Sequence, residues 1–233
     1  MTILITGASR GIGKALARQF GAQGYDLLLS SRSEVALYAC VEEMMTHFPN
    51  INVWGRAFDL AEKDSCKQLA AWAIEKAGGP DIVVNNAGIF VPGAVHNEPE
   101  GALEQQIETN LYSAYHLTRA ILPAMMERGK GHIFNICSIA SLKAYPNGGA
   151  YGISKFALYG FSQNLREEMK PHGIKVTAVL PGAVLTDSWG GFDNRNHRIM
   201  EAEDVARLIY AASQLSPAAC VEDIVLRPQL GDL

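Results

Sequence analysis

Short apolar runs alternate along this chain with longer stretches in which apolar residues recur every three or four positions. Runs at 2–6, 25–30, 51–58, 81–84, 131–137, 174–180 and 220–226 read as strands. Leu27, Leu28 and Leu29 are consecutive, and unbroken apolar character suits a strand covered on both faces. Helical spacing follows over 15–24, 33–48, 63–77, 100–127, 151–170 and 201–214. Ser33 is placed to cap the second helix, and Pro49-Asn50 and Gly78-Gly79-Pro80 end the second and third. Residues 92–99 and 186–196 read as loops. Strand and helix alternating to the end predict an α/β fold, a doubly wound parallel sheet with helices on both faces. Without a repeat or a long linker, residues 1–233 read as one domain.

In such a sheet a ligand binds at the carboxyl ends of the strands, where the order switches between the first and fourth. Several marked residues fall there. After the first strand comes Thr6-Gly7-Ala8-Ser9-Arg10-Gly11-Ile12-Gly13, then a helix. Glycines let a pyrophosphate approach the backbone, and the helix N-terminus offers free N–H groups and partial positive charge. A Walker loop fails because Ala15 follows Gly13-Lys14, and G-x-G-x-x-G fails at Leu16. The second strand ends in Ser31-Arg32, with no acidic residue to hold a ribose 2′-hydroxyl. Arg32, and Arg10 in the glycine turn, instead suit a 2′-phosphate, which favours NADP(H) over NAD(H). Asp59-Leu60 and Asn85-Asn86-Ala87-Gly88 end the third and fourth strands. Asn110 lies mid-helix, where asparagine is a poor choice unless it bonds a neighbouring backbone group, kinks the helix or holds a water.

Tyr151 and Lys155 stand four apart on a helix, so phenol and ammonium share a face. A cation about 4 Å from the phenol would favour the phenolate by roughly 4 kcal/mol at an effective dielectric near 20, before desolvation. That would move the phenol toward neutral pH, where it can exchange a proton with a carbonyl oxygen. Ser138, at the end of the fifth apolar run, could hold that oxygen.

Composition narrows the setting. Of the 233 residues 48% are hydrophobic and 19% charged, with a net charge of −4, which suits one sizeable core and argues against a polyanionic partner such as nucleic acid. Four scattered cysteines and six scattered histidines form no metal-ligand pattern, so reduced thiols and no metal are expected. No apolar stretch is long enough for a span and no leader pattern is visible, so neither membrane nor secretion is expected, and a cytoplasmic location is.

Taken together and in order, the glycine turn, Asn85-Asn86-Ala87-Gly88, Asn110, Ser138, Tyr151-x-x-x-Lys155 and Pro181-Gly182 resemble the short-chain dehydrogenase/reductase family. The resemblance implies seven parallel strands in the order 3-2-1-4-5-6-7 and an oxidoreductase acting on a ketone, aldehyde or alcohol. It implies that Tyr151 is the acid/base, Lys155 lowers its pKa and holds the nicotinamide ribose, Ser138 positions the substrate oxygen, and Asn110 holds a water behind Lys155. Gly7, Ser9, Arg10, Gly11, Ile12 and Gly13 would cradle the pyrophosphate. Ser31, Arg32, Asp59, Leu60, Asn86, Ala87 and Gly88 would meet the adenosine side, and Pro181, Gly182, Val184 and Thr186 the nicotinamide. Pro181 to Gly190 and the tail from Glu222 are similar to sepiapterin-reductase-like members rather than to 3-oxoacyl-carrier-protein reductases. The glycine-rich C-terminal extension of the latter is missing, which argues for a homodimer over the family's homotetramer. A cofactor-sensing protein without turnover is the rival reading on the same fold. Such proteins typically lose the tyrosine or lysine, and here both are present.

Overall fold

The structure, a computed structural model, describes residues 1–189 and 191–232. Its centre is one parallel sheet of β1 (Thr2–Thr6), β2 (Asp26–Ser30), β3 (Val53–Gly55), β4 (Ile82–Asn85), β5 (Gly131–Ile136), β6 (Ile174–Pro181) and β7 (Asp223–Leu226). The strands are parallel, as their alternation with helices predicts, and their order is β3-β2-β1-β4-β5-β6-β7, as the family resemblance implies.

Successive side chains of a strand point to opposite faces, and each face has its own core. Ile3, Ile5, Leu27 and Leu29 pack under α1 (Gly11–Ala22), α2 (Glu34–His47) and α7 (Ala202–Ser213). Leu4, Leu28 and Val83 pack under α3 (Lys63–Ala77), α5 (Ser113–Arg128) and α6 (Gly149–Met169). Each leucine fully withdrawn from water contributes about 2 kcal/mol, so slipping any strand by one residue would exchange both cores at once.

Three elements differ from the pattern. The strand expected over 51–58 is hydrogen-bonded in ladder form only at Val53–Gly55, although Arg56 N and Phe58 N still donate to Leu29 O and Ser31 O at 3.1 Å. β7 begins at Asp223 rather than 220. The helix expected over 100–127 is divided: α4 (Ala102–Ile107), a π turn at Glu108–Tyr112, then α5. Asn110 is in the π turn. Such one-turn bulges are commonly found at functional sites.

Candidate active site

The glycine turn is clamped from β4. Asn86 Nδ2 donates to Thr6 O at 2.9 Å and Gly7 O at 3.2 Å, while Asn86 N and Ala87 N donate to Thr6 Oγ1, both at 2.9 Å. A Cβ on Gly13 would lie 2.2 Å from Gly7 O and 2.7 Å from Asn86 Nδ2, so only glycine fits. Gly7 and Gly11 have φ of 62° and 51°, in the region that favours glycine. What results is a bare backbone cradle at the start of α1, the shape a pyrophosphate requires. Thr6, its hydroxyl serving two N–H groups, was not picked out as a site residue. Its signal was a hydroxyl immediately before the glycines.

Around the cradle the expected residues divide. Ser9 and Arg10 precede α1, and Ile12 packs partly on the first core. Arg32 is exposed, while Ser31 is buried with its hydroxyl donating to Ser33 O at 3.2 Å. Arg10, expected to reach the same phosphate, pairs with Asp187 at 3.3 Å. Asp59 Oδ1 accepts Ala61 N at 3.1 Å. Leu60 is buried in the second core. Val184 likewise belongs to the first core. At Gly182 a Cβ would lie 2.8 Å from Asp232 Oδ1 and 3.1 Å from Pro228 Cδ, where the C-terminal tail crosses Pro181-Gly182. Thr186 packs on the glycine turn, its Cγ2 3.1 Å from where a Gly11 Cβ would be. Trp189 and Phe192 meet edge to face at 5.4 Å and line a cavity of about 430 Å³ with Gly11 and Lys14, against α1.

Asn110 and Gln106 lie one turn apart and are both buried. Ile89 N donates to Asn110 Oδ1 at 2.8 Å, and Asn110 Nδ2 donates to Ile89 O at 3.0 Å and Ser154 Oγ at 2.9 Å. Gln106 repeats the motif two residues on: Val91 N donates to its Oε1 and its Nε2 to Val91 O, both at 3.2 Å. The Asn110 side chain thus bonds neighbouring backbone and interrupts the helix. Gln106 escaped the sequence reading, and the i, i+4 spacing of two amides was its one signal.

Ser138, Tyr151 and Lys155 converge at the end of β5. Lys155 is buried, its Nζ donates to Ile136 O at 2.8 Å, and it lies 5.8 Å from the Tyr151 ring centroid. Burial lowers its pKa to about 8, because a charge is costly away from water. Against the lowering that Lys155 is expected to exert stands the effect of burial on the Tyr151 pKa. Burial raises it, the Ser138 hydroxyl pulls the other way, and Cys137 adds to the rise. Desolvation is the largest of these effects in the chain alone. Phe90 meets the Tyr151 ring edge to face at 4.8 Å. Glu98 supplies what Gly148 cannot: its Oε2 accepts Ala150 N at 3.1 Å and caps the helix bearing Tyr151. A Cβ on Gly88 would be 3.1 Å from Asn110 Oδ1 and 3.7 Å from Lys155 Nζ, so glycine there keeps the approach to the lysine open. Among the described residues there is no group of three or more potential metal ligands and no helix long and apolar enough to cross a membrane.

Known proteins share the sequence and the fold. The family model "short chain dehydrogenase" matches residues 1–196. The chain is 32% identical to sepiapterin reductase of Chlorobaculum tepidum, covering 99% of this chain and 97% of the relative. It is 33% identical to dehydrogenase/reductase SDR family member 7B of Rattus norvegicus, over 90% of this chain and 69% of the relative. A metagenomic short-chain oxidoreductase in complex with NADP superposes with a TM-score of 0.86 at 30% identity, covering 98% and 97% of the two chains. Serine dehydrogenase from Escherichia coli does so with 0.88 at 28% identity, covering 100% of both. With the model matched over most of its length, the seven strands in the family's order and the tyrosine, lysine and serine gathered at one sheet edge, this chain belongs to the short-chain dehydrogenase family of oxidoreductases.

Proposed function

We propose that the protein is an NADP(H)-dependent reductase of ketones or aldehydes, able to oxidise the matching alcohols. One observation carries the reading: Tyr151 stands between Ser138 and Lys155 beside an open backbone cradle that only glycines permit. Gly7, Ser9, Gly11, Ile12 and Gly13 would hold the pyrophosphate and Arg32 and Arg10 the 2′-phosphate. Ser31, Asp59, Leu60, Asn86, Ala87 and Gly88 would line the adenosine side, and Pro181, Gly182, Val184 and Thr186 the nicotinamide side. Bound there, the dinucleotide supplies or accepts the hydride. Ser138 holds the substrate oxygen toward Tyr151. A phenol whose pKa burial keeps high retains its proton at neutral pH and can give it to a carbonyl oxygen. Lys155, cationic below about pH 8, then steadies the phenolate and meets the ribose. Asn110 spends its amide on Ile89 and Ser154, so a carbonyl released by the π turn would accept the water that returns a proton to Lys155. The same chemistry runs backward with alcohols at higher pH, where the phenolate is present.

Nothing specific favours the rival without turnover. NADP is bound in related structures, and Arg32 is exposed at the end of β2. We also propose a homodimer rather than a tetramer. Tyr112, Ile153 and Phe156 are exposed on the helical stretches around Asn110 and Tyr151, where two copies would pair. The cytoplasm fits four free thiols.

The test is to follow NADPH oxidation with a panel of carbonyl compounds that includes sepiapterin. Tyr151→Phe is expected to lower kcat at least about hundredfold without weakening NADPH binding. A variant retaining a tenth of the parent rate would remove Tyr151 from the chemistry.

A further inference from the structure

The β4–α4 connection could have been a free loop over the cleft, but it is pinned at both ends. At its start, Ile89 and Val91 each exchange a pair of hydrogen bonds with Asn110 and Gln106. At its end, Glu98 accepts Ala150 N, while Gly93 N donates to Asn147 O at 3.1 Å. Two buried amides on one helix face thus read alternate residues of an extended segment, as a neighbouring strand would. The residue between them is Phe90. It is half exposed, yet its ring stands edge-on to Tyr151 at 4.8 Å and 77°.

We propose that Gln106 is a positioning residue for the acid/base: with Asn110 it fixes the 89–91 backbone so that Phe90 braces and dries one side of the Tyr151 ring. This deepens the reading above, because it rests on Tyr151 as the acid/base. Amide-to-backbone pairs hold a segment in register without burying charge, and breaking one leaves the Val91 N–H and C=O without their amide partner. A phenol ring free to tilt would leave the substrate oxygen out of reach, and small misplacements are costly to turnover.

The groups around Tyr151 bound what a pH measurement can report. Lys155 is on its own helix, Cys137 and Ser138 at the end of β5, and Tyr145 on the connection between them. Glu98 is at the helix N-terminus, and the β4 side contributes the uncharged Phe90. Removing the Phe90 ring admits water and lessens the largest cause of the raised phenol pKa, so the Tyr151 titration moves to lower pH.

The experiment compares Phe90→Ala, Gln106→Met and, as a control on the same helix, Leu103→Ala. Phenolate absorbance is followed against pH, with the Tyr151 part isolated by subtracting the Tyr151→Phe protein. This readout needs no turnover and so stands even if the reductase reading fails. Both Phe90→Ala and Gln106→Met should lower the Tyr151 midpoint, with Leu103→Ala unchanged. With NADPH and an accepted carbonyl, both should lower kcat about tenfold while the KM for NADPH stays within about twofold. Phe90 is half exposed, so Phe90→Ala should fold even if Gln106→Met does not. A Tyr151 midpoint unmoved in Phe90→Ala overturns the proposal, as does a shift in Phe90→Ala with none in a folded Gln106→Met.

Discussion

The two edges of the sheet bury polar groups to opposite ends. At the amino edge such groups are matched to partners. Arg128 donates to Gly79 O at 2.6 Å and Pro80 O at 2.7 Å. His132 lies 2.8 Å from Thr177 Oγ1, whose own proton goes to Val221 O, so the neutral ring donates from Nε2. At the carboxyl edge the accounts are left open: Asn85 Oδ1 is buried without a partner, Tyr151 is pushed up and Lys155 down. Buried ionisable groups hold either edge together only when their neutral or paired form is satisfied. Where they are held between forms, they can exchange protons.

That contrast can be broken experimentally, and acid should break it most. Burial lowers the His132 pKa from 6.5 to about 3. Between those values the unfolded chain binds a proton that the folded chain refuses, so stability present above pH 6.5 is lost as pH falls. The loss approaches about 5 kcal/mol as an order of magnitude. His132→Gln, which keeps a donor without titrating, should flatten the acid limb of a denaturation series. If it leaves that limb as steep, His132 is not its source.

A smaller effect tests the carboxyl edge alone. Arg32→Asp replaces a phosphate partner with a repelling charge, and should weaken NADPH by about fiftyfold with NADH nearly untouched. Equal losses for both cofactors in a binding titration would assign the 2′-phosphate elsewhere. Smallest, Arg128→Ala strands two carbonyls at the amino edge and should cost about 2 kcal/mol in urea denaturation. Its kcat should match the parent; a loss of activity at equal folding would mean the edges are coupled.

How far the sequence could be read differs by residue. The glycine turn was readable because its requirement is local: φ above zero at Gly7 and Gly11 and no room at Gly13. Tyr151 and Lys155 were readable because helical spacing places them together. Their protonation was not, since it depends on how much protein covers each group and on Ser138 and Cys137 at the end of β5. The π turn was invisible because apolar periodicity tolerates one extra residue. Asn110 lies in it and reaches Ile89 and Ser154, 21 and 44 positions away. The contact of Gly182 with Asp232 and Pro228 was not readable, because it joins segments far apart in the chain. Trp189 and Phe192 carried no pattern, and they turned toward α1.

By itself the sequence determined the alternation of strands and helices, hence the parallel sheet and the edge at which chemistry collects, because periodicity and glycine geometry act over a few residues. The tertiary structure alone decided which partner each buried polar group finds and how dry the phenol is. Both depend on atoms brought together from distant segments, where the energies of desolvation and hydrogen bonding are set.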